Sequence, residues 1–404
     1  MAATTSASAT APSTTVPGAK AHTDGAWSVI PVQTRSERLR SYDPAAFDRP
    51  TGREVAWKHT PVDRLGDLFD GADADADAIV VRVSSADAPT LAVGASPRGN
   101  AFEPEDLPSA IAWTKVDAAR HIVVEGERDE PVVVTVEGHG GIAYEHLVIE
   151  AKPFAKGTVL LRHSGTAELA QNVEIVVADG AHLEVVTVQD WAADAVHVAS
   201  HQAVVHRDAT LRHVVVSFGG AVVRVNPSVR LAGTGSHAEL YGLSYADAGQ
   251  HLESQVFLFH EGAETSGDVL YKGALQGTGA RSVWIGDVLI GPHAVGTDSY
   301  EANRNLVLTD GARAESIPNL EIETGDILGA GHASATGRFD DEQLFYLQAR
   351  GIPESEARRL VVLGFLTEIV QRIGLPELEA ELIAAIEREL AAGIALIEGE
   401  RVTA

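Results

Sequence analysis

Cysteine is absent from this sequence of 404 residues, and aromatic residues make up only 5% of it. Without thiols the chain has no disulfides and supplies no thiolate ligand to a metal or cluster. Basic residues are also scarce, since 31 lysines and arginines stand against 57 acidic residues for a formal net charge of −26. Because phosphate backbones and anionic lipids repel such a chain, we expect neither nucleic acid nor a membrane as a partner.

Long hydrophobic runs are missing too, and none reaches the roughly 20 residues that span a bilayer. Residues 1–27 are rich in Ala, Thr, Ser and Pro but lack the basic and apolar blocks of a secretory signal. We therefore predict a disordered tail there and expect the protein in the cytoplasm. The sequence has no GxxxxGK[S/T] loop and no GxSxG elbow in a suitable context, so we expect no ATP hydrolysis by this chain alone.

What is present falls into four predicted segments. They are the tail (1–27), a mixed N-terminal segment (28–110), a β-rich core (111–338) and a helical domain (339–404). In the second segment a helix is predicted over 62–69, before an Asp/Ala-rich linker.

The β-rich core is built from short runs of Val, Ile and Thr separated by turn residues. A turn-like unit recurs in it, for example DGAHLE at 179–184, RDATLR at 207–212 and DGARA at 310–314. Neighbouring copies lie roughly 27 residues apart, a spacing typical of repeat architectures. The pattern predicts a parallel β-helix in which inward Val and Ile side chains stack from coil to coil. An up-and-down β-sandwich is the competing architecture.

Three helices are predicted after residue 339. The first is capped by Asp340, the second has Pro353 in its first turn, and the third begins near Pro376. Their apolar stripes serve either to pack against one another and the solenoid or to bind a partner. The sequence leaves both interpretations open.

Three C-terminal stretches resemble the SufB/SufD family of iron–sulfur cluster assembly scaffolds. They read NLVLTDGARAESIPNLEI (305–322), GHASATG (331–337) and DDEQLFYLQARGI (340–352). Shorter similarities at YKGAL (271–275), RSVWIG (281–286) and RPTGREVAWKHTP (49–61) extend the resemblance over most of the chain. The resemblance implies a mainly β fold, with a right-handed parallel β-helix core, a mixed N-terminal segment and a C-terminal α-helical domain.

The missing thiol favours one branch of that family. SufB-like members resemble one another in having a Cys shortly before the His of the C-terminal motif, and this sequence has Ala330 at that position. Thiolates are the usual ligands of iron–sulfur clusters. The resemblance therefore favours the SufD branch and implies a non-catalytic subunit that pairs with a SufB-like scaffold. No tightly bound cofactor is expected, only a transient iron–sulfur cluster or iron at the partner interface.

His332 matches the family position at which a SufD histidine faces the SufB cysteine. A neutral imidazole is a competent iron ligand, so the resemblance implies a metal site at His332 that is shared with the partner. An exposed His without a role in a Gly/Ala-rich loop is the alternative. Glu321, in the same motif, is either a carboxylate ligand or a solvated charge on a strand.

The resemblance also implies that a SufC-like ABC ATPase docks on the C-terminal helices. The candidate contacts are apolar residues of the first two predicted helices: Leu344, Phe345, Leu347, Leu360 and Phe365.

Four further histidines lie close together in sequence: His197, His201, His206 and His213. Their spacing fits no zinc motif, so we expect outward-facing positions on the solenoid rather than a metal site.

Two other functions stay open at this level. A carbohydrate-active β-helix enzyme, a polysaccharide lyase or hydrolase, needs paired carboxylates and aromatic platforms, which the low aromatic content disfavours. A SufB-like homodimer acting alone would have to hold a cluster through His and carboxylate ligands. We also expect a homodimer when the chain is isolated from its partner.

Overall fold

The computed structural model describes residues 19–20, 30–31, 39–85, 88–338 and 341–403. The chain forms two units, Met1–Leu39 and Arg40–Ala404. In the first, β1 (Ala19–Lys20) pairs antiparallel with β2 (Ile30–Pro31). The rest of the predicted disordered tail, 1–27, lies outside the described residues.

Parallel strands dominate the second unit and confirm the predicted mainly β fold with a β-helix core. The solenoid begins with β3 (Ile79–Val83), β4 (Thr90–Ala92), β5 (Ala118–Val124), β6 (Val132–Ala151) and β7 (Lys156–Val177). One sheet, the even sheet, continues through β8 (His182–Trp191), β10 (Thr210–Ser217), β12 (His237–Ala246), β14 (Ser266–Leu275), β16 (Asp298–Val307) and β18 (Gly329–Arg338). The odd sheet continues through β9 (Val196–Val205), β11 (Val222–Leu231), β13 (His251–His260), β15 (Arg281–Ile290) and β17 (Arg313–Ile322).

The two sheets are joined by the long strand β7. Its first half pairs with β8 and its second half with β9, so each later coil adds one strand to each sheet. Because neighbours in both sheets run parallel, the up-and-down sandwich is excluded. The corner between the two halves of β7 lies at Gly165, whose φ is 76°. A Cβ atom there would collide with the carbonyl oxygen of Gly138 on the previous coil, so glycine is required for this close approach.

Aliphatic ladders fill the lumen between the two sheets. One ladder on the odd sheet consists of Ile175, Ala203, Val229, Leu258, Val288 and Leu320. Alternate residues of a strand point to opposite faces, so the inward positions of successive coils stack and form the core. Leu320 packs against this core from the last coil.

The N-terminal segment covers the outer face of the odd sheet. It contains 3₁₀ helices at Pro44–Ala46 and Val62–Leu65, and the helices α1 (Gly66–Asp70) and α2 (Leu107–Lys115). The helix predicted over 62–69 is confirmed, but α2 was missed and lies across the predicted boundary between 110 and 111. Seven consecutive residues of α2 are buried, so it lacks the apolar stripe of a surface helix. Only its capping box, formed by Asp106 and Ser109, indicates a helix in the sequence.

The three predicted C-terminal helices are confirmed as α3 (Asp341–Gln348), α4 (Glu354–Val370) and α5 (Pro376–Thr403). The predicted cap, Asp340, lies outside the described residues. Helices α4 and α5 pack on the outer face of the even sheet, where Leu366 and Ile386 are fully buried beside Val214 and Tyr241. Much of their apolar surface therefore packs on the chain's own solenoid. Among the described helices, none combines the length and apolar character needed to cross a membrane.

Candidate functional site

The last coil of the solenoid ends in two open strand edges. Strands β17 and β18 pair with the preceding coil, and no described strand lies against their other edges. Such edges present unpaired backbone N–H and C=O groups to any strand that approaches. Exposed apolar side chains lie nearby: Leu328 and Ile322 in the last coil are 81% and 44% exposed, and Tyr300 on β16 is 49% exposed. The open end therefore offers both backbone pairing and apolar contact.

His332 lies on β18 at this open end, directly beside Glu301 of β16. The Nδ1 atom of His332 is 3.7 Å from Oε1 of Glu301. The carboxyl group is buried, with 1% of the side chain exposed, whereas the imidazole remains 43% exposed because no further coil covers it. The sequence predicted His332 as an interface residue, but Glu301 was missed. Only the pairing of β16 with β18 brings Glu301 next to His332, and no sequence motif marks it.

Glu301 occupies an unfavourable environment for a charge. Burial, with the nearby charge of Asp287 adding to it, raises the pKa of Glu301 to about 8. Neither carboxyl oxygen has a hydrogen-bond partner among the described residues. A Cβ atom on Gly286 would collide with this carboxyl group, so the glycine of RSVWIG leaves the space that Glu301 fills. Together His332 and Glu301 present one imidazole and one carboxyl group, both suitable donors to iron, at the open end.

Glu321 is placed differently from His332. It lies on β17 next to Leu320, which packs inward, so Glu321 points outward. Pro318 of the same motif lies within β17. A proline is tolerated there because β17 is an edge strand.

The five candidate docking residues differ in accessibility. Leu344 is buried, and Phe365 packs beside the even sheet with the Lys272 ammonium 4.6 Å from its ring centre. Leu347 is partly buried. Phe345 and Leu360 are 71% and 43% exposed, on α3 and α4, which pack together. The structure therefore leaves Phe345 and Leu360 as the accessible apolar contacts of this set.

The histidines of the β9–β10 region correct another expectation. His197, His201 and His213 are at most 1% exposed and point into the lumen, not outward, while His206 is partly buried at a corner. Nδ1 of His201 lies 2.9 Å from Nε2 of His213. Burial lowers the pKa of all three, so they are neutral in the folded protein. No group of three or more His, Asp or Glu side chains in the described ranges is arranged to hold a metal ion.

The RPTGREVAWKHTP stretch has a structural role that sequence reasoning missed. Arg224 of β11 lies under Trp57, with its guanidinium carbon 3.9 Å from the ring centre, and donates to the Ala56 carbonyl. Its Nε donates to Glu253 at 3.1 Å, and Glu253 also accepts from Thr60 at 2.8 Å. Burial opposes ionisation of Glu253, but the hydrogen bond from His251 and the charge of Arg224 outweigh it and lower the pKa of Glu253 to about 2.

This buried group, the Arg224 clamp (Ala56, Trp57, Thr60, Arg224 and Glu253), fixes the N-terminal segment to the odd sheet. The clamp lies on the solenoid wall, away from the open strand edges. These contacts give Ala56, Trp57 and Thr60 of the motif a structural role.

Fold and site together define a class of protein. It is a parallel β-solenoid with both outer faces covered by its own chain, and one open end that carries a His and a carboxyl group but no thiol. The family described as SUF system FeS cluster assembly, SufBD core domain, matches residues 134–365. The chain belongs to this SufBD family of iron–sulfur cluster assembly proteins.

Curated relatives agree with the family match. The chain is 47% identical over 389 residues to the iron-sulfur cluster assembly SufBD family protein Rv1462 of Mycobacterium tuberculosis, covering 93% of this chain and 97% of that protein. It is 47% identical to the family protein ML0594 of Mycobacterium leprae, covering 87% of this chain and 93% of that protein. Similarity to the iron-sulfur cluster assembly protein SufD of Escherichia coli is lower, at 29% over 54% of this chain and 51% of SufD.

Proposed function

We propose that this protein is a SufD-type, non-catalytic scaffold subunit that contributes to an iron–sulfur cluster site only together with a SufB-like partner. The observation that carries the proposal is the open end of the solenoid, where His332 lies exposed in a chain without cysteine. A cluster bound there has to take its thiolate ligands from another chain. The family membership supports this function over a carbohydrate-active enzyme.

The partner is expected to join the open end of the solenoid. Strands β17 and β18 offer unpaired edges, and the exposed side chains of Tyr300 and Leu328 add apolar contact area. Pairing through these edges would bring His332 to the interface with the SufB-like chain. In the absence of that chain, the same edges would support a homodimer.

A SufC-like ABC ATPase is expected to dock on the outer side of α3 and α4. Phe345 and Leu360 are exposed there, whereas the inner faces of α4 and α5 are already used by the even sheet. Closure of the ATPases would then move this subunit relative to its partner and open the interface near His332. The compartment proposed for this complex is the cytoplasm.

Co-expression with SufB and SufC from the same source tests the proposal. We expect the three chains to elute together on a sizing column. Replacing Ser334 by Pro should release the SufB-like chain, because the N–H of Ser334 faces the open edge of β18, and proline removes that donor without breaking the pairing with β16. The double change Phe345→Ser and Leu360→Ser should instead release the ATPase.

Phe154→Ser provides the matched control, because Phe154 is 76% exposed at a solenoid corner outside both surfaces. This variant should keep both partners. Failure of the unmodified chain to co-elute with SufB would overturn the proposal.

Anaerobic reconstitution tests the role of His332. The isolated chain with iron and sulfide is expected to form no cluster or a labile one, and the complex with SufB a stable one. His332→Ala should lower the cluster yield of the complex without releasing the partners. A stable cluster on the isolated chain would contradict the borrowed-thiolate argument.

A further inference from the structure

A small polar cavity lies inside the solenoid, between the two sheets. From the even sheet it is lined by Ser217, Ser244, Tyr271 and Asn303, and from the odd sheet by Ser254, Ser282 and Trp284. Many other inward positions of the same coils carry aliphatic side chains of the core. A concentration of hydroxyl groups in this place therefore needs a hydrogen-bonding explanation.

Two polar groups at the cavity lack partners within the protein. The hydroxyl of Tyr271 and the indole Nε1 of Trp284 make no hydrogen bond to any described residue, although the two residues are only 6% and 2% exposed. The hydroxyls of Ser244 and Ser282 lie 3.4 Å apart, at the limit of a direct hydrogen bond. A buried hydroxyl or indole N–H without a partner is costly, and buried water usually satisfies such groups.

The volume of the cavity matches that of a water molecule. It offers about 20 Å³ to the centres of water molecules, and one water needs about 10–15 Å³ by that measure. The space therefore admits water but no larger ligand.

One inward position of the even sheet carries a polar residue or glycine on each successive strand, and the cavity lies beside the middle of this row. On successive coils this lumen row consists of His163, Gln189, Ser217, Ser244, Gly273, Asn305 and Thr336. Direct hydrogen bonds join Gln189 to His163 at 3.2 Å and Asn305 to Thr336 at 3.4 Å. Between these ends lie the serines of the cavity.

Gly273 is the member of the row without a side chain. A Cβ atom there would lie 2.6 Å from Oδ1 of Asn305 and 3.1 Å from the hydroxyl of Ser244. The absence of a side chain at this position lets polar groups of three coils converge beside the cavity.

We propose that this cavity is a structural water site, in which one ordered water accepts or donates hydrogen bonds to the Tyr271 hydroxyl and to the serines of the lumen row. The water would add hydrogen bonds in the middle of the lumen row, between the Gln189–His163 pair at one end and the Asn305–Thr336 pair at the other. This inference does not depend on the identity of any partner, because it concerns the interior of the isolated chain.

A high-resolution crystal structure of the full chain tests the site directly. We expect electron density for a water within hydrogen-bond distance of Ser244 and of the Tyr271 hydroxyl. An empty cavity would overturn the proposal.

Thermal unfolding of two tyrosine variants gives an independent test. If water binds the Tyr271 hydroxyl, Tyr271→Phe should lower Tm by about 2–4 °C, because a hydrogen bond to the bound water is lost. Tyr245→Phe is the matched control, since the hydroxyl of Tyr245 is also buried without a partner but does not line the cavity. Removing that unpaired hydroxyl should leave Tm unchanged or raise it. A Tyr271→Phe variant that behaves like the control would count against the water site.

Discussion

Single buried residues connect distant parts of this chain. Arg224 joins the odd sheet to the N-terminal segment through an ion pair with Glu253 and a bond to Asp106 at 3.2 Å. The side chain of Arg224 is 1% exposed and that of Glu253 is fully buried, so this ion pair lies out of contact with solvent. Residues 49–61 therefore stabilise the fold through their contacts with Arg224 and Glu253.

The Arg224 clamp predicts a large loss of stability in Arg224→Ala. Removing the guanidinium leaves the buried Glu253 carboxylate without its arginine partner, which should lower the free energy of unfolding by about 3–5 kcal/mol, measured by urea denaturation. Arg207→Ala is the control, because Arg207 is 64% exposed in its ion pair with Asp179. That change should cost less than about 1 kcal/mol. Equal losses in both variants would refute the role given to the clamp.

The secondary-structure elements divide their surfaces between the solenoid and the outside. Helix α4 presents Leu366 to the even sheet, where it is fully buried, and Leu360 to solvent. The sequence predicted this helix but left open whether its apolar residues pack internally or bind a partner. The structure buries Leu366 against the solenoid and leaves Leu360 exposed, on the face where we propose that a partner docks.

Two leucine variants should separate these uses. Leu366→Ala removes buried contacts and is expected to lower the free energy of unfolding by about 2–5 kcal/mol. Leu360→Ala should change it by less than about 0.5 kcal/mol, because the side chain is partly in solvent. In the co-elution experiment Leu360→Ala should weaken ATPase retention even though the fold is intact. Stability losses of the same size would show that the two faces are not distinct.

The second unit as a whole buries ionisable groups in its lumen, which links its stability to pH. His163 is buried with its Nε2 3.0 Å from Gln171, and burial lowers the pKa of His163 to about 4. An unfolded histidine titrates near 6.5, so the unfolded chain takes up a proton between pH 6.5 and 4 that the folded chain does not. His163 therefore favours unfolding increasingly as the pH falls through this range.

His163→Gln tests this linkage, since glutamine keeps hydrogen-bonding groups but does not titrate. Relative to the variant, the unmodified protein should lose on the order of 3 kcal/mol of unfolding free energy between pH 6.5 and 4. Urea denaturation at several pH values measures both proteins, and their difference removes the contributions of other groups. A difference that stays constant with pH would contradict the prediction.

The sequence by itself determined the solenoid, the C-terminal helices and the lack of thiolate ligands. Repeated turn units and β-branched runs are local signals, and composition needs no structure to exclude a thiol. The missed helix α2 shows the limit of such signals, because a helix buried on all sides has no periodic stripe.

Only the tertiary structure decided which side chains share a site. When both faces of a strand are covered, inward and outward positions look alike in sequence, so the lumen histidines were placed on the wrong face. Glu301 comes beside His332 through the register between β16 and β18, which no local pattern encodes. The polar cavity likewise arises from residues of six different strands that meet only after the coils have stacked.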